Sequence, residues 1–296
     1  MTEEELLIVR RAFARQMLGL AGATDNRRLE EAFAAVRRER FLGSDPWQIS
    51  DIAAGGARPL PANDPVYVYQ DVLFALSPSR GVNNGGPSLH ARLLHALAPE
   101  PGQTVIHLGA GTGYYSAILA HLVGPRGRVV AVEIDPVFGH IAKAALADLA
   151  NVEVIVGDAA RWPEVEATRI YVNFAVSAPP PAWIENLAPG GRLVLPLGVP
   201  GEPMRPAGPR FSRHGGAFLI ERANEGFRAA HICPAYFIHA EGPAGRDSEE
   251  AVERLRNAFR ARTVEFVQSL VWKQRADPNR CWLWSPDWSL SYDPVS

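Results

Sequence analysis

The residues best placed to do chemistry lie in a run of glycines between an apolar strand and a helix. Residues 105–114 read Val-Ile-His-Leu-Gly-Ala-Gly-Thr-Gly-Tyr. Glycines are needed where the backbone turns sharply and a ligand approaches where a Cβ would collide. A dinucleotide-binding G-x-G-x-x-G motif requires a third glycine at position 114, where this chain has Tyr114. A pyrophosphate cradle is therefore disfavoured, and a purely structural turn is the other reading.

Two acids follow the next two predicted strands. Glu133 ends the second strand, where a carboxylate can accept hydrogen bonds from both ribose hydroxyls. Asp158 follows the third strand and can accept a hydrogen bond from an adenine amino group. Either acid alone could be a solvated or turn residue. Ligands of open α/β sheets bind at the carboxyl ends of the strands, so the three features together indicate a nucleoside site.

The tight glycine spacing suits the methionine portion and the ribose of S-adenosylmethionine. We therefore predict this molecule as the cofactor. The predicted cofactor-binding residues are His107, Gly109, Ala110, Gly111, Gly113, Glu133, Ile134, Asp158 and Ala159.

The elements that must position these residues alternate between strand and helix. Apolar patterning predicts strands at 104–108, 128–133, 152–156, 169–174 and 192–197, with helices at 114–123, 136–149 and 181–187 between them. Continuous apolar strands separated by helices indicate a parallel sheet covered on both faces. The predicted fold class is α/β, a Rossmann-like, doubly wound, mostly parallel sheet with helices on both faces.

The flanking regions add an N-terminal helical segment and a C-terminal extension. We expect two helices within 3–42, short extended pieces within 43–87 and a helix at 88–97 that Ser88 caps. We also expect a surface loop at 201–216, strands at 217–221 and 227–238, helical periodicity over 248–272 and a Trp-rich end. The predicted domains are residues 1–98 (helices and acceptor-loop region), 99–240 (cofactor-binding core) and 241–296 (extension).

Composition limits the possible partners. The 30 basic and 32 acidic side chains give a net charge of −2, which offers no reason to expect nucleic-acid binding. Cys233 and Cys281 form neither a disulfide framework nor a zinc motif. The apolar runs are too short to span a bilayer, and the acidic N-terminus does not read as a signal peptide. We expect a cytoplasmic protein without nucleic-acid or membrane partners.

Several segments resemble the protein-L-isoaspartate O-methyltransferases. Residues 187–198, Leu-Ala-Pro-Gly-Gly-Arg-Leu-Val-Leu-Pro-Leu-Gly, are similar to the family's Leu-x-Pro-Gly-Gly-Arg-Leu-x-x-Pro-x-Gly. Residues 36–42, Val-Arg-Arg-Glu-Arg-Phe-Leu, resemble its Val-Pro-Arg-Glu-x-Phe-Val, and Tyr-Gln-Asp at 69–71 resembles its Tyr-x-Asp. The resemblance covers about residues 26–240. It implies an S-adenosylmethionine-dependent O-methyltransferase acting on a protein or peptide carboxylate such as L-isoaspartyl.

The stretch that corresponds to the family's acceptor loop is altered. The family reads approximately Gly-x-Thr-Ile-Ser-(Gln or Ala)-Pro, whereas residues 81–87 read Gly-Val-Asn-Asn-Gly-Gly-Pro. Gly85 thus stands at the serine expected to contact the substrate carboxylate, and Asn83 at the threonine. The candidate catalytic residues are Asn83, Asn84 and Gly85, whose amides could donate to an anion; a flexible turn without a ligand is the alternative. His107 also replaces an acid that helps to orient the methionine amine.

A carboxylate acceptor is already ionised at neutral pH, so methyl transfer to it needs alignment rather than a base. An amine or phenol acceptor would call for a base, and His90 and His95 are the nearest candidates in sequence. The alternatives left open are a methyltransferase for a different acceptor, a non-catalytic nucleoside-binding relative and an NAD-linked oxidoreductase. Four tryptophans could line a pocket or pack the C-terminal extension, namely Trp272, Trp282, Trp284 and Trp288.

Overall fold

A computed structural model describes residues 2–43, 46–51, 56–62, 64–203, 210–245 and 248–295. The chain divides into two compact units, one formed by 1–157 with 203–209 and the other by 158–202 with 210–296. Within the described ranges, no helix combines the length and apolar character that a membrane crossing requires. The division into three domains stays a prediction.

The first unit opens with two helices that pack on each other, α1 (Glu3–Ala21) and α2 (Arg27–Ala35). A capping box between Thr2 and Glu5 starts α1, and α1 ends at a left-handed glycine. The side chain of Asn26 caps α2 by accepting a backbone N–H. The buried faces of the two helices meet through aromatic rings, with Phe13 and Phe33 at 6.4 Å between centroids.

The region between α2 and the sheet consists of short elements, as predicted. A 3₁₀ turn (Arg38–Phe41) leads to the antiparallel strands β1 (Gln48–Asp51) and β2 (Gly56–Pro59). A hairpin of β3 (Ala75–Ser77) and β4 (Val82–Asn83) follows, and then helix α3 (Pro87–Leu97). The prediction that Ser88 caps α3 is wrong, because Gly86 is the N-cap residue. The N–H and hydroxyl of Ser88 instead both donate to Asp71, at 3.0 and 2.6 Å.

The first unit contains three parallel strands in the order β5 (Thr104–Leu108), β6 (Arg128–Glu133), β7 (Val152–Val156). Helix α4 (Tyr114–Val123) connects β5 to β6, and α5 (Pro136–Ala145) connects β6 to β7. The bounds of β5, α4, β6 and β7 match the prediction. Helix α5 is shorter than predicted, because a turn closed by the Leu149 N–H on the Leu146 carbonyl replaces its last residues.

The second unit is a mixed sheet. Parallel strands β8 (Ala167–Val172) and β9 (Leu187–Pro203) flank the short helix α6 (Pro181–Glu185). The sheet continues beyond β9 with β10 (Arg210–Arg222), β11 (Phe227–Pro234), β12 (Ser269–Trp272), β14 (Trp288–Ser291) and β13 (Cys281–Leu283), in that spatial order. The pairings from β10 to β13 are antiparallel. Helix α7 (Glu249–Arg260) lies between β11 and β12 in sequence.

Two predictions for the C-terminal half are wrong. The expected surface loop at 201–216 is largely strand, since β9 runs to Pro203 and β10 begins at Arg210; residues 204–209 lie outside the described residues. Gly201 allows β9 and β10 to approach closely, because a Cβ on it would lie 2.7 Å from the Phe211 carbonyl oxygen. The helical periodicity over 248–272 ends at Arg260, with positive φ at Arg262, and residues 269–272 form strand β12.

The tryptophans of the extension mostly pack the second unit. Trp282 is buried, and its ring lies 5.4 Å from that of Phe218 on β10 and 5.0 Å from that of Phe259 on α7. Trp288 is also buried on β14, whereas Trp284 is 37% exposed. The structure therefore gives Trp282 and Trp288 a packing role within this unit.

Candidate functional site

The glycine turn is anchored to the end of strand β6. After β5, the N–H groups of Gly109 and Ala110 both donate to the carbonyl of Val132, at 2.9 and 3.1 Å. Gly109 and Gly111 have φ values of 78° and 56°, which L side chains rarely adopt. The glycines predicted from the sequence are thus required by the turn itself, whatever ligand the turn binds.

Glu133 is the central acid of this turn. Its side chain is only 7% exposed, Oε2 accepts the Gly111 N–H at 2.6 Å, and Oε1 accepts the Asp135 N–H at 2.9 Å. Burial raises the pKa of Glu133, and these backbone hydrogen bonds offset only part of the rise. Among the described residues, no cation pairs with it. A carboxylate has about four acceptor positions, so its backbone hydrogen bonds do not use all of its capacity to accept.

The two later glycines of the turn have different roles. A Cβ on Gly111 would face open space, the nearest atom being Leu76 Cδ1 at 4.0 Å. A Cβ on Gly113 would lie 2.7 Å from Leu146 Cδ1, beyond the end of α5. Gly111 therefore leaves room for a ligand. Gly113 allows close side-chain packing at the start of α4, and its predicted contact with the cofactor stays a prediction.

His107 lies on β5, and Ile134 directly follows the end of β6. His107 is fully buried on β5, its Nδ1 lies 2.8 Å from Ser116 Oγ on α4, and burial lowers its pKa to about 3. A neutral imidazole carries no charge, so His107 cannot supply the negative charge that the sequence resemblance implies at this position. Ile134, directly after Glu133, is 39% exposed and presents apolar surface to solvent.

The predicted acceptor residues lie at and just after the end of β4, in a hydrogen-bonded segment rather than an open turn. Asn83 pairs with Ala75 across the β3–β4 hairpin, and its Oδ1 accepts the Gly85 N–H at 3.0 Å. Asn84 is buried; its N–H donates to the Phe74 carbonyl, and its Oδ1 accepts the Phe74 N–H at 2.8 Å. The two hydrogen bonds with Phe74 give Asn84 a structural role in the hairpin. Its Oδ1 already accepts a hydrogen bond, and its Nδ2 is buried away from solvent.

Gly85 is constrained by the helix behind it. Its φ is 75°, and a Cβ there would overlap the His90 imidazole. That imidazole is fully buried and stacks on Tyr115, with 3.7 Å between ring centroids. A serine at position 85, as in the family pattern, does not fit this arrangement.

Neither candidate base is placed as a free general base. Burial lowers the pKa of His90 well below its usual value, so its imidazole is neutral near pH 7. The Nδ1 of His95 lies 3.1 Å from the Asn26 side chain at the start of α2. Both histidines therefore have structural partners in the first unit.

The two short motifs that suggested the family contact each other. Arg38 is fully buried and donates to the carbonyls of Val68, Gln70 and Val72 at 2.7–2.8 Å. The Tyr69 hydroxyl donates to Glu39. Both motifs were visible in the sequence, but their pairing was not, since it joins segments that are distant along the chain.

Sequence reasoning missed Arg80, at the tip of the β3–β4 hairpin. Arg80 forms an ion pair with Asp135, and its guanidinium lies 5.9 Å from the centre of the Phe138 ring. Burial alone would raise the pKa of Asp135, but the Arg80 ion pair and two backbone N–H donors outweigh burial and lower it. The hairpin is thereby fastened to the start of α5, two residues after Glu133. The sequence held no signal for this pair.

Asp158 and Ala159 belong to the second unit. Asp158 Oδ1 accepts the Ala160 N–H at 2.9 Å and starts a short 3₁₀ turn. The carbonyl of Ala159 accepts the indole N–H of Trp183 at 3.0 Å. Their predicted adenine contact stays a prediction. The His, Cys, Asp and Glu side chains of the described ranges form no cluster suited to a metal ion.

Comparison with known proteins supports the resemblance found in the sequence. The family model "Protein-L-isoaspartate(D-aspartate) O-methyltransferase (PCMT)" matches residues 58–213, more than half of the chain. A protein-L-isoaspartate O-methyltransferase of Aeropyrum pernix is 37% identical over 190 residues, which are 62% of this chain and 65% of that protein. A second such enzyme, from an Anaeromyxobacter species, is 32% identical over 234 residues, 77% of this chain and 82% of the relative.

Solved structures agree with the fold. A protein-L-isoaspartate O-methyltransferase superimposes with a TM-score of 0.62 at 22% identity, covering 88% of this chain and 74% of the other. A Plasmodium falciparum protein with the same family designation, in complex with S-adenosyl-L-homocysteine, gives 0.59 at 17% identity, covering 78% and 98%. These likenesses confirm the predicted α/β fold class. Since the family model spans more than half of the sequence, this chain belongs to the protein-L-isoaspartate O-methyltransferase family.

Proposed function

We propose that this protein is an S-adenosylmethionine-dependent methyltransferase that esterifies a protein or peptide carboxylate, such as that of an L-isoaspartyl residue. The observation that carries the proposal is the buried carboxylate of Glu133. It is oriented by two backbone N–H groups at the carboxyl end of β6 and, among the described residues, has no cationic partner. Family membership supplies the reaction type, and this acid supplies the cofactor site.

The residues of the first unit fit this cofactor. The remaining acceptor capacity of the Glu133 carboxylate suits the ribose, whose hydroxyls are donors. Gly111 leaves open space at the turn, where a side chain would obstruct a ligand. Ile134, the next residue after the acid, exposes apolar surface. We assign the ribose to Glu133, and we extend the proposal to Asp158 and Ala159 for the adenine and to His107 near the methionine end.

S-adenosylmethionine, when bound, supplies a sulfonium-activated methyl group that a carboxylate oxygen takes while the carbon–sulfur electron pair stays on sulfur. The chain's own part is to hold the acceptor in line. A carboxylate acceptor, with a pKa near 4, is ionised at neutral pH and needs no proton removed. The buried, neutral His90 and the hydrogen-bonded His95 are compatible with a reaction that uses no base. Alignment is supplied by the β3–β4 hairpin, which Asn84 and Arg80 hold in place.

A second candidate function is methyl transfer to a different acceptor. The observation that favours it is Gly85, where the His90 ring fills the volume of the serine side chain expected from the family pattern. Without that hydroxyl, an acceptor at this loop meets the Asn83 side chain and backbone groups. The sequence-based expectations of a cytoplasmic location and of no nucleic-acid partner stay predictions.

Transfer of labelled methyl groups separates these functions. The purified full chain is incubated with labelled S-adenosylmethionine and either an isoaspartyl peptide or its aspartyl twin. Base-labile label on the isoaspartyl peptide alone supports the proposed function. Base-stable label, or label on other acceptors only, supports the second candidate. Cofactor binding without transfer to any peptide or metabolite in a panel would contradict both and leave a nucleoside-binding protein.

A further inference from the structure

Thr112, inside the glycine turn, contacts a segment outside the turn. Its side chain is 4% exposed, and its hydroxyl donates to the carbonyl of Phe41 at 2.6 Å. Thr112 directly follows Gly111, whose N–H binds Glu133. The ring of Phe41 also lies 5.8 Å from that of Tyr114, the first residue of α4. The glycine turn is therefore joined to the 3₁₀ turn Arg38–Phe41.

The same 3₁₀ turn is joined to the acceptor side of the unit. Arg38, at its start, binds the carbonyls of residues 68, 70 and 72. Within that stretch, Asp71 accepts the N–H and the hydroxyl of Ser88 at the start of α3. Two residues after Val72, Phe74 exchanges two hydrogen bonds with Asn84. A series of hydrogen bonds, connected by the backbone of residues 38–41 and 68–74, therefore runs from the glycine turn to residues 82–88.

We propose that Thr112 is a positioning residue that couples ligand occupancy of the glycine turn to the order of the acceptor segment, residues 82–88. The inference rests on the proposed function in one respect, that the turn binds the S-adenosyl group. Hydroxyls bound to Glu133 fix the acid and, through it, Gly111. Thr112 passes that constraint to Phe41, and Arg38 and Asp71 pass it to the acceptor segment. Chains of packed and hydrogen-bonded groups are the physical means by which sites are coupled.

The test uses Thr112→Val, which keeps the side-chain shape and removes the donor, and Thr112→Ser, which keeps the donor. Thr263→Val is the matched control, because it removes a threonine hydroxyl that lies 2.6 Å from the Tyr292 hydroxyl in the second unit. Thr112→Ala is a second variant without the donor, for use if the valine variant does not fold. Thermal melts establish that each variant is folded before it is compared.

Amide hydrogen exchange with and without S-adenosylhomocysteine is the first readout. In the wild type, Thr112→Ser and Thr263→Val, the ligand should slow exchange in residues 82–90. In Thr112→Val this protection should fall by about fivefold, the scale of one lost hydrogen bond, while calorimetry shows ligand affinity changed by less than that. With the isoaspartyl peptide, kcat should fall by about tenfold or more while KM for the methyl donor changes little.

Three results would overturn the inference. They are full ligand-induced protection in Thr112→Val, a loss of ligand affinity as large as the loss of protection, and equal defects in the serine and valine variants. A wild type that binds S-adenosylhomocysteine but labels no peptide would refute the proposed acceptor, and the exchange data would still decide the role of Thr112. Failure of the wild type to bind S-adenosylhomocysteine would overturn both proposals, and only that result would do so.

Discussion

Replacing Glu133 with glutamine tests the ribose assignment at a single atom. The carboxylate accepts the Gly111 N–H at 2.6 Å through one oxygen and the Asp135 N–H at 2.9 Å through the other. A glutamine keeps one acceptor oxygen and places an NH₂ group where the second acceptor was. One of the two backbone N–H groups would then face a donor, and one ribose hydroxyl would lose its charged acceptor.

The expected size follows from these contacts. A hydrogen bond to a charged group contributes about 1.5–3 kcal/mol. Since about 1.4 kcal/mol changes an equilibrium constant tenfold, Glu133→Gln should weaken S-adenosylhomocysteine binding by roughly 10- to 100-fold.

Isothermal calorimetry with S-adenosylhomocysteine measures this effect. The matched control is Glu153→Gln on neighbouring strand β7, which removes a half-exposed carboxylate paired with Arg128. Such surface pairs contribute about 0–1 kcal/mol, so ligand affinity should be unchanged in the control. The reasoning would be refuted if folded Glu133→Gln bound the ligand within about twofold of the wild-type affinity, since the assigned charged hydrogen bond would then be absent.

Three further predictions follow from the first unit. The ion pair between Arg80 and Asp135 can be removed by Arg80→Met or by Asp135→Asn, and the asparagine keeps the N-cap oxygen of α5. Either change should speed S-adenosylhomocysteine release about fivefold in stopped-flow experiments. Unchanged release in both variants would count against a holding role for the pair. Gly85→Ala should lower the free energy of unfolding in urea by about 1–3 kcal/mol, because φ is 75° and the Cβ meets His90. Gly86→Ala, with φ −79° and no contact closer than 3.8 Å, should cost less, about 0.5–1 kcal/mol, the scale of alanine in place of glycine at an N-cap; equal costs would contradict the geometry. Burial raises the folded-state pKa of Glu133, so acidification should protonate it at a higher pH than a free glutamate. Ligand affinity should then fall, while the unliganded protein gains stability from this group. Calorimetry and thermal melts at several pH values test both effects, and Glu133→Gln should show neither.

Local sequence was sufficient where an element's identity depends on its own residues. The bounds of β5, α4, β6 and β7 were predicted because each strand is a mostly apolar run, and glycines or a proline mark the turns. The position of Glu133 at the end of β6 follows from the same pattern. Local sequence misled where the strand pairings of the second unit determined the structure. Residues 269–272 have helical periodicity but pair as a strand with β11 and β14.

The sequence by itself determined the α/β core, the glycine turn, the acid at its edge and the family. Only the tertiary structure decided what those residues contact: Gly113 packs against Leu146, and Asp135, two residues after Glu133, pairs with Arg80. The physical reason is the range of the interactions. Backbone turns and apolar periodicity act over a few neighbouring residues, whereas these contacts join segments separated by loops, and their partners are set by how helices and strands pack.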